Sequence, residues 1–251
     1  MDLDDIKKAI KSLDGFEGNI GLMGGEPTMH PDFLSILMLY QEMIPRHRRQ
    51  LWTSGYKWEE YEKSINIVFS KDNISYNDHS KKIKGWHQPL LVAIEEVVDE
   101  PVLRHKFIDN CWVQNRWSAS ITPSGAYFCE VAAAHAELFI GYSAGFEVKP
   151  GWWKGKEICD AQCWICNRCS GCLPLPWIMT DRAGEDLVSP GNHDVLKNIS
   201  DKDMVIANID LCKAYIEGKT AIPGDEPGSL RDFPEWKPWN YRNEIFHGPR
   251  K

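Results

Sequence analysis

Five cysteines, Cys159, Cys163, Cys166, Cys169 and Cys172, fall within fourteen residues and are followed by Leu173-Pro174-Leu175-Pro176. Thiolates this closely spaced can converge on one centre when the intervening amides turn inward and donate to the sulfurs, whether iron or zinc is bound. Such near neighbours are poor disulfide partners for each other. Three chemistries share the pattern: an iron–sulfur cluster, a structural zinc site and a disulfide scaffold. From Cys163 to Cys172 the spacing approaches the bacterial ferredoxin run, although the last gap has two residues and Leu173 separates Cys172 from Pro174.

Two further cysteines favour the iron–sulfur reading. Cys111 and Cys129 bracket an apparent hairpin, Trp117-Ser-Ala-Ser-Ile-Thr-Pro-Ser-Gly-Ala-Tyr-Phe-Cys129, a stiff arm able to bring two more thiolates to the run. Cys212, with Ile206, Ile209 and Ile216 on a helical stripe, is expected to be an ordinary buried residue.

These residues sit in a chain of 251 residues with 43% hydrophobic and 26% charged content, enough to bury a core in a soluble globular fold. The net charge of −7 argues against a general nucleic-acid or anionic-membrane surface, and Arg46-His47-Arg48-Arg49 is read as a solvated helix end. No apolar stretch approaches the roughly 20 residues needed to span a bilayer, and the N-terminus is acidic where a secretory signal is basic. The expected location is cytoplasmic, and in a reducing compartment clustered cysteines point to ligation before disulfides. Six of the tryptophans, Trp86, Trp112, Trp117, Trp152, Trp153 and Trp164, lie around the cysteine-bearing segments and are expected to cap the core of a loop-rich domain.

The elements that position this chemistry begin with a helix capped by Asp2, its stripe Leu3, Ile6, Ile10 and Leu13 ended by Gly15. A short strand, Asn19 to Met23, runs into Gly24-Gly25-Glu26-Pro27-Thr28. A second helix starts at Pro31, with Phe33, Leu34, Leu37, Met38 and Ile44 on its inner side and Pro45 as its stop. A strand at Gln50 to Trp52, a helix from Trp58 to Phe69 and a strand at Asn73 to Asn77 continue a β/α alternation, which implies parallel strands. Leu90, Leu91, Ile94, Val97 and Val98 share one helical face, and Pro101 opens the next helix. After Cys111 follow the hairpin, a small-residue helix from Ala132 to Phe139, a Gly/Trp-rich loop and the cysteine run. Asp203 to Glu217 reads as a final helix, and the tail from Ile222 as irregular.

In β/α folds, ligands bind at the carboxyl ends of strands. At Gly24 and Gly25 no Cβ keeps a ligand from the main chain, and Glu26 can offer its carboxylate to a cation such as an ammonium group. A plain strand-to-helix turn has the same residues.

Taken together, these features resemble the radical S-adenosylmethionine (SAM) superfamily, in particular members with a C-terminal SPASM or twitch auxiliary-cluster domain. Gly24-Gly25-Glu26-Pro27 resembles the motif that holds the amino group of the SAM methionine, and Thr53-Ser54-Gly55 resembles the loop after the next strand. Cys111, Gly125, Cys129 and the later run resemble the auxiliary-cluster pattern. The resemblance covers roughly residues 1 to 176. It implies a partial (β/α) radical-SAM-type barrel over 1–110, a small cysteine-rich module over 111–180, and a C-terminal helix and irregular tail over 181–251. It further implies SAM bound by Gly24, Gly25, Glu26, Pro27, Thr53 and Ser54, and an auxiliary 4Fe–4S cluster, with zinc as the alternative metal. The expected ligands are Cys111, Cys129, Cys166 and Cys169, with Cys159, Cys163 and Cys172 as alternates.

The departure from the family is at the radical-generating cluster. Relatives carry C-x3-C-x2-C ahead of the glycine turn, whereas the 23 residues before Gly24 contain no cysteine. The chain is therefore expected to begin after that loop and to be unable to cleave SAM alone. Cys159-x3-Cys163-x2-Cys166 has the spacing, but no strand-like run precedes it, and the match is read as fortuitous. A complete relative would modify a peptide or small-molecule substrate by radical chemistry and draw electrons from a donor protein. A non-catalytic iron–sulfur or zinc module for electron transfer or partner binding is the competing reading. His79 and His87, at or just beyond a strand end, are candidates to line a pocket, with structural or solvated roles as the plainer reading.

Overall fold

The computed structural model describes residues 1–76, 90–109, 111, 119–139, 144–153, 161–175, 179, 181–182, 185–200 and 203–220. Cys159, His79, His87, Trp86, Trp112, Trp117 and the tail from Ile222 lie outside the described residues. The chain forms two compact units, one containing residues 1–76 and 148–153, the other the remaining described residues. This grouping differs from the sequence division at residues 110 and 180, since residues 90–109 belong with the cysteine-bearing segments. Among the described residues no helix is long and apolar enough to cross a membrane.

The first unit alternates helix and strand. Helix α1 (Leu3–Ser12) starts where the Asp2 carboxylate accepts the Asp5 amide at 2.8 Å, satisfying one of the donors a helix N-terminus leaves open. Strand β1 (Ile20–Leu22) leads through a 3₁₀ turn (Pro27–Met29) to helix α2 (Phe33–Met43). Strand β2 (Arg49–Thr53), helix α3 (Trp58–Val68) and strand β3 (Ile74–Tyr76) follow. The sheet order is β1-β2-β3, all parallel, with Ile20 opposite Arg49 and Leu51 opposite Ile74. No closed barrel forms among the described residues.

The core of this unit gathers Phe33, Ile36, Leu37, Tyr40, Ile44, Leu51, Ile65 and Phe69. The inner face of α2 differs from the sequence expectation: Leu34 and Met38 are exposed, at 51% and 62%. The stripe that packs is Phe33, Ile36, Leu37 and Tyr40, the i, i+3, i+4, i+7 face, and it carries the aromatic pairs Phe33–Tyr61 and Tyr40–Phe69. The basic patch is a solvated helix end only in part: Arg46 and His47 are exposed, as expected, whereas Arg49 is buried. Buried Arg49 donates to the carbonyls of Ile44 (2.6 Å), Gln41 (2.9 Å) and Val68 (3.0 Å), satisfying carbonyls at the C-terminal ends of both α2 and α3. Arg46 donates to Asn66 and Phe69 carbonyls, and Arg48 to those of Gly18 and Phe16.

In the second unit, residues 90–93 are not helical as their apolar spacing predicts. Their backbone groups bond elsewhere: Ser170 N–H donates to the Leu90 carbonyl, Ser189 N–H to that of Leu91, and Ala93 N–H to Ser189 Oγ. Helix α4 is one turn only (Ile94–Val97), and α5 follows (Pro101–Asp109). Strands β4 (Ser120–Thr122) and β5 (Gly125–Tyr127) form the expected antiparallel hairpin, leading to helix α6 (Glu130–Phe139). The C-terminal part holds more than a helix. Strands β6 (Asp181–Arg182) and β7 (Glu185–Val188), helix α7 (Pro190–Leu196), strand β8 (Met204–Ile206) and helix α8 (Ile209–Ile216) make up a three-stranded sheet with two helices. The residues read as the start of a final helix are thus β8, parallel to β7. Helix α8 begins only at Asn208, whose side chain accepts the Leu211 amide at 3.0 Å.

Candidate functional site

The glycine turn ends β1, and Thr53-Ser54-Gly55 ends β2, its parallel neighbour. Parallel pairing puts both carboxyl ends on the same edge, and Glu26 joins them. Its Oε1 accepts from Thr28 N–H (3.1 Å), Thr28 Oγ1 (2.7 Å) and Thr53 Oγ1 (2.7 Å), and its Oε2 from Ser54 N–H (2.7 Å) and Ser54 Oγ (2.6 Å). Burial opposes the charge, but the hydrogen bonds from Ser54, Thr28 and Thr53 outweigh it and lower the carboxyl from its usual 4.5 to about 2. Glu26 is therefore a carboxylate at any physiological pH. A carboxylate has about four lone-pair positions, and these donors fill them. The Thr28 hydroxyl has a second acceptor 2.6 Å away, the Tyr56 carbonyl, and has one proton to share between them.

Around Gly24 and Gly25, a Cβ would meet nothing within 4 Å. Their backbone is open to a ligand, while the Glu26 carboxylate is committed to the two loops. All six residues expected at this site, Gly24, Gly25, Glu26, Pro27, Thr53 and Ser54, are brought to one sheet edge.

The second unit brings cysteines together from three separated segments. Cys111, Cys129, Cys166 and Cys169 line one small cavity, about 20 Å³, with Phe128, Val131, Ala132, His135 and Ile165. These are the four expected ligands. Cys129 immediately precedes α6, where its sulfur accepts amides of Ala132 and Val131. Cys169 Sγ accepts Gly171 N–H at 3.2 Å. Amide donors of this kind stabilise thiolates and metal-bound sulfur. As thiols in a buried apolar setting they are hard to ionise: burial, then the neighbouring Cys111, pushes Cys169 up to about 12. Burial likewise raises Cys129 and Cys172, with Cys111 adding to both.

Among the alternates, Cys172 is buried and close enough to Cys111 and Cys169 to feel their charge. Cys163 is half-buried and does not line the cavity. Cys212 is buried on α8, as expected. Among the described residues no three His, Cys, Asp or Glu side chains gather closely enough to hold a single metal ion. The cysteines surround the cavity without converging on one point.

What holds the two cysteine-bearing arms together is a residue the sequence does not advertise. Gln162, 1% exposed, accepts Phe128 N–H at 3.1 Å and donates to the carbonyls of Ala126 and Ala144, each at 3.0 Å. It stands next to Cys163, at the start of the 3₁₀ helix Cys163–Arg168, and grips the β5 arm just ahead of Cys129. The same arm needs Gly125: its φ is +130°, and a Cβ there would lie 2.7 Å from the Phe146 carbonyl. At its other end the 3₁₀ helix is tied by Asn192, which donates to the Arg168 and Leu91 carbonyls, both at 2.8 Å. Replacing Gln162 by Leu leaves the Phe128 amide and the Ala144 carbonyl without partners, while the Ala126 carbonyl keeps the Phe146 N–H, and should cost about 2–3 kcal/mol. Urea unfolding of the metal-free protein checks this, and hydrogen exchange should place the loss at Phe128 and the 3₁₀ helix.

The tryptophans do not all serve this module. Trp152 donates to Ser12 Oγ at 3.1 Å and Trp153 packs edge-on against Phe16, both within the first unit, while Trp164 is exposed at 44%. No family model, curated protein or solved structure matches the chain.

Proposed function

We propose that the second unit binds an iron–sulfur cluster through Cys111, Cys129, Cys166 and Cys169, and that the chain is a radical SAM/SPASM-type protein in which this is the auxiliary centre. The observation that carries the reading is the cavity lined by those four cysteines, drawn from positions up to 58 residues apart yet meeting beside one helix N-terminus. Cysteines spread around a cavity suit a polynuclear centre, in which each iron takes its own thiolate, better than a single tetrahedral zinc. The amides on Cys129 and Cys169 are the donors such sulfurs require. When bound, the cluster would supply one-electron transfer, and the protein would supply its ligands, burial and hydrogen bonds.

The glycine turn supports the family assignment through its open backbone at Gly24 and Gly25 and its pairing with Thr53-Ser54-Gly55. On this reading the backbone there, with Glu26, receives the SAM ammonium, Pro27 sets the turn, and a peptide or small-molecule substrate and an electron-donor protein complete the reaction. The first unit's described residues contain no cysteine. Reductive SAM cleavage by these 251 residues alone is therefore not part of the proposal.

A second reading is favoured by one observation, the saturation of the Glu26 carboxylate by Thr28, Thr53 and Ser54. In that reading the turn is a structural clamp, and the chain is an iron–sulfur or zinc module for electron transfer or partner binding.

Anaerobic reconstitution with iron and sulfide separates these. The cluster reading expects about four irons and four sulfides per chain, zinc binding expects metal without sulfide, and uptake of neither sinks both. Equilibrium binding of SAM to the loaded protein then decides between ligand site and clamp. Formation of 5′-deoxyadenosine that is lost in Cys163→Ala but kept in Cys129→Ala would move the radical-generating site to Cys159, Cys163 and Cys166.

A further inference from the structure

Histidine 135 lies on α6 one and a half turns after Cys129, on the face formed by Val131 and Ala132 that lines the cysteine cavity. It is 3% exposed, and its Nδ1 is buried with no hydrogen-bond partner. Its ring is packed edge-on against Phe139, with centroids 5.3 Å apart, which fixes the plane of the imidazole. Buried polar nitrogens in folded proteins are nearly always paired, and this unpaired one belongs to a residue that lines the cysteine cavity.

Resting on the iron–sulfur reading above, we propose that His135 is a positioning residue whose Nδ1–H donates a hydrogen bond to a sulfur of the cluster in this cavity. The four cysteines beside it already meet the ligand count of a 4Fe–4S centre, which leaves the imidazole as a donor to sulfur and not a fifth ligand. Hydrogen bonds to cluster sulfurs favour the more negatively charged, reduced state and so raise the reduction potential. The neighbours on α6, Ala132, Ala133 and Ala136, are small and buried, and α6 packs against the 3₁₀ helix Cys163–Arg168.

The test compares wild-type, His135→Phe and His135→Asn after anaerobic reconstitution, reading iron and sulfide content, the spectrum of the reduced cluster and its midpoint potential. His135→Phe keeps the ring and the Phe139 contact but has no N–H; His135→Leu serves if Phe is not accommodated. The Asn amide carries an N–H at the position of Nδ1. The expected result is full cluster content in all three, a more negative potential with an altered reduced spectrum in Phe or Leu, and recovery towards wild-type in Asn. Unchanged potential and spectrum in Phe or Leu would overturn the inference alone. Loss of iron in Phe that is restored by His135→Cys and not by Asn would also overturn it, making His135 a ligand. A wild-type chain that takes up no iron would overturn the cluster reading and this inference with it.

Discussion

Cys129→Ser and Cys166→Ser should each lose most of the iron and sulfide that the wild-type chain takes up anaerobically. Cys163→Ser, whose side chain does not line the cavity, should retain both. Cys129 stands at the start of α6 with two amides on its sulfur, and Cys166 comes from the 3₁₀ helix facing it, so the pair joins the hairpin arm to the cysteine run. Serine keeps the size but binds iron poorly, and the change leaves one iron without its thiolate. Unchanged cluster content in both variants would sink the ligand assignment.

Folding of the second unit should follow metal content. Structural metal sites contribute on the order of 10 kcal/mol in small modules. Hydrogen exchange of the metal-free protein should therefore show the second unit opening before the first, and uniform protection across both would count against it.

Glu26→Ala is the corresponding change in the first unit. It strands the Thr28 and Ser54 amides and the hydroxyls of Thr53 and Ser54 at the junction of β1 and β2, a loss of about 3 kcal/mol. Glu26→Gln retains one acceptor oxygen and should cost less. The charge itself gives a pH signature. Because the folded carboxyl titrates below its unfolded value, its contribution is complete above about pH 4.5 and disappears as pH falls towards about 2. Allowing for its partial exposure, this amounts to about 1–2 kcal/mol. Urea midpoints measured between pH 2 and 7 should show that slope in wild-type and a flatter one in Glu26→Gln. Equal slopes would mean the carboxylate is solvated and not clamped. SAM affinity of Glu26→Gln adds a second comparison: a ligand site loses binding, and a structural clamp loses mainly stability.

Much of the local structure was legible in the chain. Asp2 as a cap, the strand preceding the glycine turn, the helix opening at Trp58, the β/α alternation and the Cys129 hairpin all follow from neighbours a few residues apart, where capping and periodicity act. The four cysteines of the cavity could be named because a thiol's chemistry is intrinsic to its residue type and a hairpin brings its ends to one place. The errors came where distant partners override local pattern. Leu90 to Val98 has helical spacing, yet Ser170 and Ser189 take the backbone groups of 90–93 from afar. Residues 204–206 are a strand because β7 lies beside them to pair with. Arg49, in a patch read as surface charge, is buried and caps carbonyls that only the packing of α2 and α3 brings within reach.

The sequence by itself therefore determined which residue types could hold a cluster or a cation, and the short elements that carry them. Only the tertiary structure decided which groups meet. Gln162 bridges to Phe128 34 residues away, and Glu26 draws donors from 27 and 28 residues downstream. His135 becomes notable only once its Nδ1 is seen to lack a partner beside the cysteines. The reason is physical: a side chain's capacity to donate or accept is local, whereas whether that capacity is satisfied depends on burial and on partners that the folded chain alone supplies.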